Sequence, residues 1–380
     1  MLKGDIFLLF SITASLKKMR TNPVNDCRYC SVVSKANGED PIGTADYYHH
    51  WFVFEVPRPW GEKLWHYPPL EHLMKLSTKL ILQKGIIIKV VMIAPDKEYS
   101  DSGQNRLIHY YRPKDMFAEF EKQEYLLPQI EQVISLLDTI LFSPKQLYKF
   151  NNYYQQTKHI RDIIVCTHTQ GDLACGRFGT PIYRKLRQDY GTKTDSIRVW
   201  QSSHFGGHQF APTLIDLPTG RLWGHLEDDT LKPLIDRKGN LQDLRPYYRG
   251  WTGWEKWLQI AEGEIWLHES WEWLNYHKQG TIIDVGGIGI KKILFQILKL
   301  IPAKRTRIIC DRLCKKANWV KVRIKFASPD GRVSGEYTAK VEENGEVISA
   351  LDSAPSNHEE LQLKPVKQYR VTSLKRTVNS

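Results

Sequence analysis

The apolar positions change period from segment to segment, and each change marks an element. His50 to Val56 is a run of aromatic and β-branched residues closed by Pro57 and Pro59, which predicts a strand. Leu70, Leu73, Met74, Leu80 and Ile81 recur at helical spacing and stop at Gly85. Ile86 to Ala94 is continuously apolar, as expected of a strand in the middle of a sheet. Arg106 to Arg112 predicts another strand. Ile130, Val133, Ile134, Leu137, Ile140 and Leu141 predict a second helix, ended by Pro144. The order strand–helix–strand–strand–helix predicts an α/β layer.

A second layer begins near His159. Ile163 to Val165 is a β-type run entering Cys166, and Ile197 to Trp200 is a strand that delivers the chain to His204. Between them, Thr180 reads as an N-cap and Pro181 as the first residue of a helix carrying Ile182, Tyr183, Leu186 and Tyr190. Thr213 to Leu217 and Arg221 to His225 predict a hairpin over Pro218–Thr219–Gly220. Leu231 to Tyr276 turns helical and holds Trp251, Trp254, Trp257, Trp266, Trp271 and Trp273, read as a helical pack against the sheets.

Ile290, Ile293, Leu294, Ile297, Leu298 and Ile301 form a helical stripe with Lys291, Lys292 and Lys299 off it, a pattern that fits either a core-packed helix or a membrane surface. Trp319 to Ala327 and Val333 to Val341 flank the turn Ser328–Arg332, and Gln368 to Leu374 adds a strand. A polar loop follows Ser353, and disorder is expected in the last few residues. The expected division is a first α/β unit at 27–152, a second at 153–228, a helical segment at 229–318 and a small β unit at 319–380.

Composition narrows the function classes. The formal charge is +12, with the basic residues scattered and richer in the last eighty residues. No zinc-finger, RNA-recognition or helix-turn-helix pattern occurs, so the basic surface reads as a face for an acidic redox partner rather than for nucleic acid. The six cysteines fall in three pairs, Cys27/Cys30, Cys166/Cys175 and Cys310/Cys314. That spacing is no secreted disulfide framework and predicts a reducing, cytoplasmic setting. No apolar run reaches the length of a membrane span. Ile6 to Leu16 is short and poorly flanked for a signal peptide, which leaves a dispensable leader or a start at Met19.

The chemistry concentrates between His159 and Ala211. Cys166 and Cys175 are separated by eight residues, and His204 and His208 by three that include Gly206 and Gly207. Two thiolates and two imidazoles in adjacent glycine-containing loops are a metal-ligand set, open to iron–sulfur or to structural zinc. His168, between the cysteines, competes for a ligand role. Asp216 and Arg177 are candidates for hydrogen bonds around the centre. Cys27-x-x-Cys30 is the alternative, a thiol-redox pair, although no strand precedes it. Cys310 and Cys314 lack nearby partners and read as structural thiols. The glycines of Asp284–Gly289 lack the βαβ context of a nucleotide loop.

The segments CTHTQGDLACGRFG and HFGGH, with CSVVSKANGEDPIGTADYY (Cys30–Tyr48) and DLPTGRLWGHL (Asp216–Leu226), resemble the sucrase/ferredoxin-like family over roughly Cys27 to Leu226. The resemblance implies a thioredoxin-like ferredoxin core of two thioredoxin-like units. It also implies a [2Fe–2S] cluster with Cys166 and Cys175 on one iron and His204 and His208 on the other. Electron transfer or redox sensing follows as the expected role, with an enzymatic one left open. The "sucrase" of the name carries no expectation of glycosidase activity, since no carboxylate pair stands out for it.

Overall fold

The computed structural model describes residues 28–61, 66–113, 116–192, 196–289, 291–299, 301, 304–354 and 360–378. Cys27 and the leader residues lie outside them.

The chain opens with helix α1 (Cys30–Ala36) and then builds a first half from β1 (His50–Glu55), α2 (Pro68–Lys79), β2 (Ile88–Ile93), β3 (Asn105–Tyr111), β4 (Glu121–Leu127), α3 (Ile130–Phe142) and the short β5 (Tyr154–Gln155). A second half follows: β6 (Arg161–Cys166), α4 (Leu173–Asp189), β7 (Ile197–Ser202), β8 (Leu214–Leu217) and β9 (Arg221–Trp223). The two halves are wired alike. In each, two parallel strands are joined through a helix, the third strand runs antiparallel beside the first, and the fourth beside the third.

All these strands, with β10 (Tyr248–Trp251), form one ten-stranded sheet ordered β10-β9-β8-β6-β7-β2-β1-β3-β4-β5. The equivalent strands β2 and β7 meet antiparallel at the seam, with Ile93 paired to Ser202. That is the relation of two copies about a two-fold axis. The sheet folds over at this seam, because side chains of β3 and β4 reach those of β6 and β7. Asp162 accepts hydrogen bonds from Lys122 Nζ (2.5 Å), Arg198 Nε (2.8 Å) and Trp200 Nε1 (2.8 Å), and from the Tyr110 hydroxyl. Glu124 accepts from Arg198 and from Arg106. Each buried charge here is paired and hydrogen-bonded, which is what makes its burial tolerable.

Alternation along β1 shows how the layers stack. Trp51 and Val53 face the fold-over core, while Phe52 and Phe54 face α2 and α3 with Leu73, Val133 and Leu137. The chain then runs through α5 (Asp228–Asp236), α6 (Leu241–Leu244), β10 and α7 (Lys256–Glu269). A second, four-stranded antiparallel sheet comprises β11 (His277–Gly286), β12 (Trp319–Ala327), β13 (Ser334–Ala350) and β14 (Leu363–Val378). Helices α8 (Lys291–Leu298) and α9 (Lys304–Cys314) are inserted between β11 and β12. Helix α7 contacts both sheets, so it is buried on nearly all sides, including Glu262, which accepts from Arg221 (2.7 Å), Tyr248 (2.9 Å) and Trp273 (2.9 Å).

Two expectations are corrected. The stretch from Leu231 to Tyr276 is not all helix: β10 lies within it and extends the large sheet. Its tryptophans are packing residues, with Trp251, Trp254, Trp257, Trp266 and Trp273 buried. The C-terminal strand is far longer than Gln368–Leu374, because β13 supplies a partner along its whole length. Among the described residues, no helix is long and apolar enough to cross a membrane.

Candidate metal centre

Parallel pairing brings the two ligand segments together. Cys166 ends β6 and is in register with Ser202, which ends β7, so the loops leaving both strands start from one edge of the sheet. Crevices at the carboxyl ends of parallel strands are where such sheets place ligands. Beyond Cys166 the chain turns directly into α4. The helix starts at Leu173, not at Pro181 as Thr180–Pro181 predicted. Asp172 is the N-cap, its carboxylate accepting from the Ala174 amide at 2.7 Å. Cys175 therefore sits in the first turn of a helix rather than in a loop, where the amide ends of the helix favour a thiolate. Gly179 permits this placement: a Cβ there would lie 2.0 Å from the carbonyl oxygen of Cys166, so helix and strand touch backbone to backbone.

The thiols of Cys166 and Cys175 are fully buried and converge on one imidazole nitrogen. His204 Nδ1 lies 3.8 Å from Cys166 Sγ and 3.7 Å from Cys175 Sγ. All three donor atoms fall within 4.8 Å of one another. His208 stands beside them, its ring centroid 5.0 Å from that of His204 at an interplanar angle of 30°. Its donor atoms lie outside that group and are shared with two carboxylates: Nδ1 is 3.7 Å from Asp172 and Nε2 is 3.3 Å from Asp352. Nδ1 is buried without a hydrogen bond.

The loop between the histidines is shaped around Arg249. Gly206 and Gly207 have φ of +105° and +78°, which L side chains rarely adopt. The Gly206 carbonyl accepts from Arg249 Nη1 at 2.9 Å, and a Cβ on Gly207 would lie 2.2 Å from Nη2. Arg249 is itself buried and fixed by Thr44. Burial lowers its guanidinium to about 10 against the pull of Asp46, Tyr48 and the two cysteines.

The thiols share their protons unequally. Burial works to raise Cys166, but hydrogen bonds from Cys175 and His204, with the charge of His204, prevail and hold it well below an ordinary thiol. Cys175 is driven up by its bond to Cys166 and by burial. A buried thiolate held by a neighbouring thiol and an imidazole is the protonation state that a metal takes over.

His168 is not free to compete. Its Nδ1 accepts from the His204 amide at 3.3 Å, and its Nε2 faces the Trp60 carbonyl at 2.7 Å. Both nitrogens are thereby engaged, Nδ1 in holding the His204 backbone and Nε2 in anchoring the ring to Trp60. Asp216 is also occupied elsewhere, by Arg161 at 2.8 and 2.7 Å, and Arg177 is exposed on α4. Cys30 lies on α1 with its thiol 3.7 Å from Asp172, and burial pushes it up to about 12. Cys310 and Cys314 are buried on α9, outside any metal-like group among the described residues.

Sequence reading missed Asp172, Arg249, Asp352 and Ser353. Asp172 had a signal, an Asp before an apolar helical run. The others come from distant segments. A cleft of about 1190 Å³ beside α2 and β2 is lined by Trp60, Leu73 and Met92 and also by His168 and His204.

The model of the sucrase/ferredoxin-like family matches residues 41–250, from just before β1 into β10. Two curated relatives are both described as altered inheritance of mitochondria protein 32. The one from Clavispora lusitaniae is 28% identical over 125 residues, 30% of this chain and 45% of its own. The one from Debaryomyces hansenii is 27% identical over 96 residues, 23% of this chain and 34% of its own. The chain thus spans less than half the length of these relatives. No solved structure matches.

Proposed function

The chain belongs to the sucrase/ferredoxin-like family, and from that membership and the geometry of the centre we propose that it is a [2Fe–2S] protein acting in electron transfer or redox sensing. Cys166 and Cys175 take one iron, and His204 and His208 the other. The observation that carries this reading is the separation of the fourth donor. A single tetrahedral zinc needs all four donor atoms about 3.3–3.8 Å apart. Here three donors converge, while His208 stands next to His204 but outside their group. A two-iron centre does not need its four donors gathered about one point, and the displacement of His208 fits that. The common wiring of the two halves supports the thioredoxin-like reading of each.

A bound cluster supplies a one-electron couple; the chain sets its ease of reduction and its access. Two neutral imidazoles in place of two thiolates remove negative charge, and buried Arg249 adds positive charge nearby, so both favour the reduced state. Burial of both sulfurs excludes water. His204 lines the cleft and so marks the side from which an electron partner approaches, and the basic surface suits an acidic one.

Anaerobic purification tests the reading. The expected protein is red-brown with two irons and two acid-labile sulfides per chain, and Cys166→Ser or Cys175→Ser loses the visible absorbance while Cys30→Ser keeps it. A colourless protein carrying stoichiometric zinc overturns it in favour of a structural Cys₂His₂ site. A loaded protein that loses its colour on Cys30→Ser overturns the ligand assignment.

A further inference from the structure

Helix α8 is mounted the wrong way round for a surface helix. An ordinary one turns its apolar stripe to the core and its lysines to water. Here the polar side holds the protein. Lys292 and Gln296 bond Asp284 at the end of β11, at 3.3 and 3.2 Å, and Lys299 donates to the Ile283 carbonyl at 2.8 Å. Phe295, on the same side, is the buried residue of the helix. At a hundred degrees per residue, Ile293, Leu294 and Ile297 project from the opposite side. They are 64, 47 and 55% exposed, and Ile301 just beyond the helix is 48% exposed. With Ile309 on α9 they make up half of the ten large apolar residues exposed among the described residues.

Charge says what covers this face. From Val285 to Cys310 the sequence holds six basic residues (Lys291, Lys292, Lys299, Lys304, Arg305 and Arg307) and no acidic one. Lys292 and Lys299 serve the protein side, which leaves Lys291 and the basic residues that follow the helix in sequence. An exposed apolar stripe in a segment that is basic and free of acid, on a helix too short to span, matches a lipid–water interface whose headgroups are negative. We propose that α8 is a docking face for an anionic membrane surface: Ile293, Leu294, Ile297 and Ile301 enter the acyl boundary while Lys291 and the basic residues that follow the helix meet lipid phosphates. This attachment is peripheral and independent of the metal centre.

The test is flotation of the full chain with vesicles of phosphatidylcholine and phosphatidylserine in equal parts, beside vesicles of phosphatidylcholine alone. The protein should float with the mixed vesicles only, and salt should release it. Ile293→Ser with Ile297→Ser should weaken binding at least about tenfold, since each removes a buried branched side chain from the interface. Both side chains are exposed in the free protein, so the variant should keep the wild-type melting temperature. Failure to float with mixed vesicles overturns the proposal, as does equal flotation of wild type and variant. A wild-type dimer that the two serines dissolve also overturns it, because a second copy would then be the occupant.

Discussion

The carboxylate of Asp172 serves two ligand segments at once: one oxygen caps the helix that carries Cys175, and the other lies 3.7 Å from Nδ1 of His208. The same group is held from outside by Ser353, whose hydroxyl and amide donate to it at 2.7 and 2.9 Å. Cysteine and histidine segments are therefore positioned through one side chain that need not touch a metal.

This makes Asp172 a positioning residue with a separable test. Asp172→Ala removes the cap, for about 1 kcal/mol of helix stability, and strands the Ser353 donors. Asp172→Asn keeps an acceptor for the Ala174 amide but removes the charge facing His208. The alanine variant should lower both the melting temperature and the iron content. The asparagine variant should melt within a few degrees of wild type yet shift the visible spectrum. Thermal unfolding, metal analysis and visible spectra on the same preparations check both, and an asparagine variant indistinguishable from wild type in all three would reduce Asp172 to a helix cap.

Gly179→Ala tests the backbone contact beneath the thiols. The added methyl would lie 2.0 Å from the Cys166 carbonyl, and neither helix nor strand can yield without moving a cysteine. Overpacking of this kind costs about 1–3 kcal/mol or more. We expect a lower denaturation midpoint and poor cluster loading together. Gly38→Ala, at a φ of +70° with nothing near its Cβ, should cost stability without loss of iron. A Gly179→Ala protein with full iron content would contradict the close-approach account.

Acid should unfold the protein in two stages. Burial, aided by Lys35 and Arg249, lowers His225 to about 3, and burial with His50 lowers His109 well below its usual value. Below about pH 6.5 the unfolded chain protonates these imidazoles and the folded chain does not. Their cost to stability is therefore absent above about pH 7 and grows as pH falls toward the folded value. Asp162 and Glu124 act lower down. Burial would raise both, but Arg198, with Lys122 for Asp162 and Arg106 for Glu124, holds both below the carboxylate range. Their contribution is present above about pH 4 and is lost as pH falls through the depressed values. Melting temperatures measured from about pH 7 to about pH 4 should decline, and His225→Asn should flatten the curve; Asn suits the φ of +54° at this position. A flat wild-type curve over that range would remove the buried-histidine argument.

The strands were legible because their apolar runs are buried on both faces in β1 and β6 and over the second half of β2, and all three are within a few residues of expectation. The turn at Ser328–Arg332 was legible from local chemistry alone, and it links β12 to β13. The start of α4 was misread because Thr180 and Pro181 are a stronger local signal than Asp172, while the glycines before them looked like loop residues. Gly176 and Gly179 lie inside the helix and serve close packing, a tertiary property no local pattern reports. Of the four residues picked out in two short segments, Cys166, Cys175 and His204 lie together and His208 stands beside them outside their group. The carboxylate of Asp352 beside His208 was out of reach, since it depends on where a distant sheet docks. So was the inverted mounting of α8, for the stripe itself was plain but not the side from which it is held.

The segment following β13 reaches back to the metal-ligand loops: Asp352 meets His208, and Ser353 meets Asp172 and Cys30. It lies beyond the span that the family model matches. The surroundings of the ligands are thus partly written by an appendage, and the ligands themselves by the inherited core. Drift in that appendage can alter the setting of the four candidate ligands while their positions stay fixed. Loss or exchange of the C-terminal sheet would change these surroundings in one evolutionary step, so, if the proposed cluster is bound, two relatives with the same four residues need not share a reduction potential.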